Sequence, residues 1–152
     1  MTAMKLKWGK QYKLGVPEVD SQHRRWFDLT NAFLDLARAC QADSAVIEAA
    51  LADAVDYTRE HFANEEKLMR RVHFPSSEYV RHCKLHRTFT TRVERMSKQW
   101  LTGKSTEASE IGAFMSNWLV GHILSTDIKY IGFYLSSEAE REWPASRGRR
   151  KR

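Results

Sequence analysis

Along four long stretches of this chain the apolar positions recur at alternating steps of three and four. That spacing marks helices that bury one face. In the first stretch Trp26, Leu29, Phe33, Leu36 and Cys40 follow one another in this way. Asp20 stands ahead of them as an N-cap, able to accept from the free backbone N–H groups that follow. The second stretch starts at a Ser44 cap and runs through Ile47, Leu51, Ala54, Thr58, His61, Glu65, Leu68 and Val72. Pro75 and the two serines beside it punctuate the chain and open the third. Its stripe is Tyr79, His82, His86, Phe89, Val93, Met96 and Trp100, with Gly103 just past its end. The fourth carries Ile111, Phe114, Trp118 and His122, with Ile123 and Tyr130 close behind. Four helices of about 20 residues on short connections predict an all-α, antiparallel up-down-up-down four-helix bundle.

Outside the stripes the chain reads differently. Residues 1–19 contain Gly15 and Pro17 and no helical period. They read as an extended N-terminal arm that Trp8, Tyr12 and Leu14 pack onto the domain. Beyond Leu135 the period fades, and Pro144 and Gly148 mark a loose end. The expected organisation is a bundle domain over residues 1–135 and a basic, disordered tail over 136–152.

Composition agrees with one helical domain. The chain has 152 residues, enough for a single real core. Its 7 Gly and 3 Pro are few for a turn-rich β protein. The net charge is +6, but Arg147, Arg149, Arg150, Lys151 and Arg152 crowd into the end of the chain, and without them it is +1. No aromatic residue is interleaved with those charges, so the tail reads as a solvated end and not as a specific nucleic-acid site. Cys40 and Cys83 make no disulfide framework and read as reduced thiols, which points to the cytoplasm. The first ten residues lack a signal-peptide core. No segment approaches the roughly 20 apolar residues of a membrane span.

The informative residues are polar ones in apolar places. His61 and Glu65 lie on the inward stripe of the second helix, His82 and His86 on that of the third, and His122 continues that of the fourth. His23 sits one turn above Phe27 at the start of the first. Burying polar groups without partners costs several kcal/mol. Four helices that each aim imidazole or carboxylate into one bundle are most simply reconciled by a metal that uses those lone pairs. A single pair four residues apart is common on solvated faces; the joint pattern across all four helices is not. His73, in the turn before Pro75, reads as a surface histidine. Glu66 is turned sideways from Glu65 and reads as a solvated charge.

These residues resemble those of the hemerythrin family, most closely its bacterial single-domain kind. The strings that carry the likeness are WGKQYKLGVPEVDSQH (8–23), HFANEEKLM (61–69), FPSSEYVRHCKLHRTF (74–89) and WLVGHILSTD (118–127). The resemblance implies two iron ions joined by an oxo or hydroxo bridge, with dioxygen as the ligand. His23 and His61 would hold the iron that is left open. His82, His86 and His122 would hold the coordinatively full one, and Glu65 and Asp127 would bridge the pair. Asp127 enters by resemblance alone. It follows His122 by five residues, which turns it roughly 140° around an ideal helix, so a widened turn or a change of side-chain direction must bring it in.

With that ligand set, two octahedral ions lack one donor between them. Ferritin-like oxidases use carboxylate-rich sites with Glu three residues before His; no histidine here has that neighbour. Neutral imidazoles favour the reduced pair, so the expected function is reversible dioxygen binding, as carrier, store or supplier, and not catalysis. The partners expected are dioxygen and an oxygen-using enzyme or signalling protein, with the chain a monomer. The alternatives are an oxygen or redox sensor acting on a partner, an enzyme acting on peroxide or nitric oxide at the same site, and an iron store. Leu119, Trp118, Phe27 and Phe62 are the expected apolar wall that excludes water and slows autoxidation.

Overall fold

A computed structural model describes residues 4–142, with the side chains of residues 4–138. Pro144, Gly148 and the five basic residues of the tail lie outside the described residues. The helices are α1 (Pro17–Arg38), α2 (Ser44–Arg71), α3 (Ser76–Leu101), α4 (Ala108–His122) and α5 (Ile128–Glu142). A five-residue π turn, Ile123–Asp127, joins α4 to α5 without a break, so the three segments form the fourth rod of the bundle. There is no strand among the described residues. Successive helices pack on one another, and α4 returns to pack on α1. This is the four-helix bundle that the stripes predict. No described helix is long and apolar enough to cross a membrane.

The ends of the helices refine the expected boundaries. α1 begins at Pro17, ahead of Asp20, because proline at the first helical position gives up no intrahelical hydrogen bond. The arm is therefore shorter than residues 1–19. Asp20 is not the cap. Its carboxylate reaches back to accept from the N–H groups of Leu14 at 2.7 Å and Gly15 at 3.2 Å, tying the arm to the helix. α2 is capped by Asp43, whose side chain accepts from Ala45 N–H at 2.9 Å, and Ser44 is the first helical residue. α3 ends as expected at Gly103, with φ at +67° and Lys104 N–H bonded to Gln99 O at 2.8 Å. α2 closes with the same bonding pattern, but His73 takes the left-handed position at φ +53°. His73 is exposed there, remote in role from the other histidines. α5 continues past Leu135 to Glu142.

The arm is held by specific contacts. Asn31 accepts from Leu6 N–H and donates to Leu6 O, both at 2.8 Å. Trp8 and Tyr12 set their rings edge-on against Phe27, with centroids 5.3 and 4.9 Å away. Leu14 packs beside them.

The inward faces are rotated slightly from the ideal stripes. In α1, Leu34 and Thr30 are buried with Trp26, Phe27 and Phe33, whereas Leu29 and Leu36 are half-buried. Cys40 lies beyond the helix and is exposed. In the fourth rod, Met115 and Leu119 face inward, and Phe114 and Trp118 flank them half-buried. A straight helix drifts against a strict seven-residue repeat, so the buried face is wider than one stripe. The core divides in two. One cluster includes Trp26, Phe27, Phe62, Phe89, Leu119 and Ile123. The other is Val16, Val19, Met69, Tyr130 and Ile131. His23, Glu65 and Asp127 fall in sequence between members of the two, so the polar site is sealed from both ends.

Gly112 marks the close approach of α1 and α4. A Cβ there would lie 2.4 Å from Cδ2 of Leu34 and 3.4 Å from Cε1 of Phe33. Leu34 is fully buried and has little room to yield. Gly112→Ala is expected to lower stability by about 1–3 kcal/mol. Urea unfolding checks this, and an unchanged midpoint would contradict so tight a contact.

Candidate metal centre

Seven polar side chains meet in the space between the two apolar clusters. His23 comes from α1, His61 and Glu65 from α2, His82 and His86 from α3, His122 from α4 and Asp127 from the π turn. All are at most 4% exposed. On α2 and α3 the donors sit four residues apart, on one helix face. The π turn solves the problem of Asp127. Widening from i+4 to i+5 bonding places a residue over the one five before it. Asp127 Oδ1 accordingly lies 3.0 Å from His122 Nε2.

The seven form two groups that share both carboxylates. His23, His61, Glu65 and Asp127 make one; His82, His86, His122, Glu65 and Asp127 make the other. Glu65 turns Oε1 to His61 at 3.2 Å and His23 at 3.5 Å, and Oε2 to His86 at 3.2 Å and His82 at 3.6 Å. Asp127 turns Oδ2 to His23 at 3.2 Å and Oδ1 to His82 at 3.2 Å. In the three-histidine group, Nε2 of His122 is 3.1 Å from that of His82 and 3.2 Å from that of His86.

These distances are those of atoms gathered about a common centre. A first-row ion holds N and O donors at about 2.0–2.2 Å, so donors at right angles around it stand about 3 Å apart. Despite their closeness, Nε2 of His23 and His61, Oε2 of Glu65 and both oxygens of Asp127 are buried with no aligned hydrogen bond. Their lone pairs aim between one another. The donor set fits a pair of metal ions.

A second ring of contacts orients the imidazoles. Nδ1 of His61 lies 2.8 Å from Oε1 of Gln22, and Nδ1 of His86 lies 3.1 Å from Oε1 of Glu66. Glu66 does point sideways, but not only to solvent: it lands against α3, and its side chain is 27% exposed. The expected solvated charge is thus a partner of His86. Tyr130 donates its buried hydroxyl to Oε1 of Glu65 at 2.9 Å. Gln22, Glu66 and Tyr130 carry no spacing signal that would have found them.

The expected apolar residues lie at different places. Leu119 is fully buried in the cluster above the site. Phe62 stacks on His86 at 3.7 Å and Trp118 on His122 at 4.1 Å, so both cover the three-histidine group. Phe27 faces the arm. Trp26, absent from the expected wall, is fully buried and lies 5.2 Å from the His61 ring.

Charge follows this geometry. Burial opposes the imidazolium form of His23, but the close negative charges of Asp127 and Glu65, at 3.2 and 3.5 Å, outweigh it and raise the group to about 9. His82 is raised to about 9 by the same balance. His86 is lowered, by burial first, against the raising charge of Glu65, and with the help of the neighbouring His82 and His122. Burial alone would raise both carboxylates. For Glu65, His61, His23 and His82 reverse that and hold it well below its ordinary range. For Asp127, burial and the Glu65 charge both raise it, yet His122 and His23 prevail and lower it.

A buried, histidine-rich site between four antiparallel helices defines a metal-binding bundle protein. The chain matches the sequence profile of the hemerythrin HHE cation binding domain over residues 14–134, and it belongs to the hemerythrin family. It is 32% identical over 125 residues to bacteriohemerythrin of Stenotrophomonas maltophilia, covering 82% of this chain and 78% of that one. It is 30% identical over 135 residues to bacteriohemerythrin of Pseudomonas aeruginosa, with 89% and 85% covered. Myohemerythrin of Riftia pachyptila is 31% identical over 125 residues, with 82% and 90% covered. The fold superposes on the crystal structure of a hemerythrin variant with a TM-score of 0.77, at 23% identity, over 85% of this chain and 96% of that one.

The raised histidines set a pH dependence. A group whose folded pKa lies above its unfolded value of about 6.5 stabilises fully below that value and loses its contribution as pH rises through the folded one. Metal-free protein, stripped with chelator, is expected to lose stability between pH 6.5 and about 9 as His23 and His82 shed protons. Urea unfolding across that window checks the sign; stability that is flat or rises with pH would contradict it.

Proposed function

We propose that this chain is a non-haem di-iron protein that binds dioxygen reversibly. The observation that carries the reading is the division of the donors. Glu65 and Asp127 each turn one oxygen toward two histidines and the other toward three. If two ions shared both carboxylates and an oxo or hydroxo group, His82, His86 and His122 would complete the donors of one, and His23 and His61 would leave the other one donor short. A purely structural site has no use for that gap. Membership of the hemerythrin family supports iron as the metal and dioxygen as the ligand.

When bound, the iron pair supplies the electrons for dioxygen uptake. The chain's own residues prepare that chemistry. Gln22 and Glu66 hold the rings of His61 and His86 so that Nε2 faces inward. Tyr130 steadies Glu65. Phe62, Trp118, Leu119 and Trp26 form a dry surround that excludes water. In the metal-free chain the Tyr130 phenol is held well above its ordinary range, by burial and then by the charges of Glu65 and Asp127.

The visible spectrum of reduced protein before and after air, with an iron assay, tests the proposal. Two irons per chain and charge-transfer bands that come and go with oxygen are expected. Irreversible oxidation, or native zinc in place of iron, would defeat it. Leu119→Ser, which puts a hydroxyl into the dry surround, is expected to speed autoxidation several-fold; an unchanged rate would remove the role given to that wall.

A further inference from the structure

The groups behind the site are as unequal as the site itself. His86 Nδ1 faces a carboxylate, Glu66, at 3.1 Å, whereas His61 Nδ1 faces the neutral amide oxygen of Gln22 at 2.8 Å. Both partners orient a ring. Only Glu66 also pushes negative charge into one, which makes its Nε2 the stronger donor. Tyr130 adds to the difference from the other side. Its O–H binds Oε1 of Glu65, the oxygen turned to His23 and His61. Oε2, turned to His82 and His86, accepts no hydrogen bond. A proton shared with Oε1 draws density from the two-histidine half and leaves the three-histidine half its full carboxylate charge.

Glu66 and Tyr130 belong to different helices, α2 and α5, and touch different atoms, yet both favour the same half. From this we infer that the polypeptide grades the two metal positions, and that Glu66 and Tyr130 are the positioning residues that set the grade. The position at His82, His86 and His122 fills first and holds its ion. The position at His23 and His61 fills last and empties first. This rests on the two-metal reading above, and it goes beyond the difference in histidine count, because it predicts that single changes outside the donor set shift one position alone.

Metal-free protein titrated with Co(II) under argon, read by visible absorption and by bound cobalt, tests it. The native chain is expected to fill in two resolved steps. Glu66→Gln keeps an acceptor for His86 and removes the charge; it should weaken the first step about 10–100-fold and leave the second unchanged. Tyr130→Phe frees Oε1 and should tighten the second step several-fold. A tyrosine with only a structural role would, when removed, loosen it. If Glu66→Gln does not fold, as judged by circular dichroism, Gln22→Glu carries the test, because a charge placed behind His61 should tighten the second step. A single unresolved step, a first step indifferent to Glu66→Gln, or equal weakening of both would overturn the inference. Fewer than two ions bound by the native chain would overturn the underlying two-metal reading as well.

Discussion

Glu65 and Asp127 place two negative charges in an interior otherwise built of aromatic and aliphatic side chains. An ionised carboxylate taken out of water loses several kcal/mol of solvation even after the protein relaxes. Two of them side by side also repel. The pair can stay ionised there only if matching positive charge comes to the same place. In the protein alone that charge is protons, held on His23 and His82 by the carboxylates themselves. In the reading proposed here it is a pair of metal ions. Histidine suits both states. Its proton is held loosely enough for a metal ion to displace it, and the freed lone pair is a metal donor. A lysine would keep its proton, and an apolar residue would leave the carboxylates unanswered.

The rest of the bundle serves to keep this charge balance dry and in register. Apolar clusters close the site above and below, and the N-terminal arm covers Phe27 with Trp8 and Tyr12. Flat rings do more than fill volume. Phe62 lies parallel to His86 and Trp118 nearly parallel to His122, so the imidazoles cannot tilt without losing stacking contact. Gly112 lets α1 and α4 come close, and further along the same pair of rods His23 meets Asp127 of the π turn. Among the described residues the π turn is the one departure from regular helix inside the bundle, and it stands at the site. Local irregularity of this kind disturbs a helix ladder and persists where it has a use.

The second ring of contacts gives the site a direction that its donors alone do not have. A carboxylate behind one histidine and an amide behind another are similar in shape and differ by a full charge. The difference is cheap to build, because Glu66 and Gln22 lie at the edge of the bundle, where water still screens them in part. It reaches the centre only through the imidazole between. A change at the rim can therefore alter the interior without reshaping it.

The run of residues by itself determined the four helices, their order and the five inward histidines. Apolar periodicity is a local property, and a histidine or glutamate that interrupts it is visible wherever it stands. Glu65 was legible for the same reason. Asp127 was legible only as a likeness, since its place on an ideal helix faces away, and the widened turn that redirects it depends on packing along the whole fourth rod. The caps moved by a few residues because neighbouring acids and hydroxyls can serve the same free N–H groups. Gln22, Glu66 and Tyr130 were not legible as parts of the site at all. Nothing in α2 records that His86 of α3 will arrive beside Glu66, and nothing after Asp127 records that Tyr130 will meet Glu65. Those pairings join residues far apart in the chain, and only the tertiary structure, by choosing which helix faces meet, decided them.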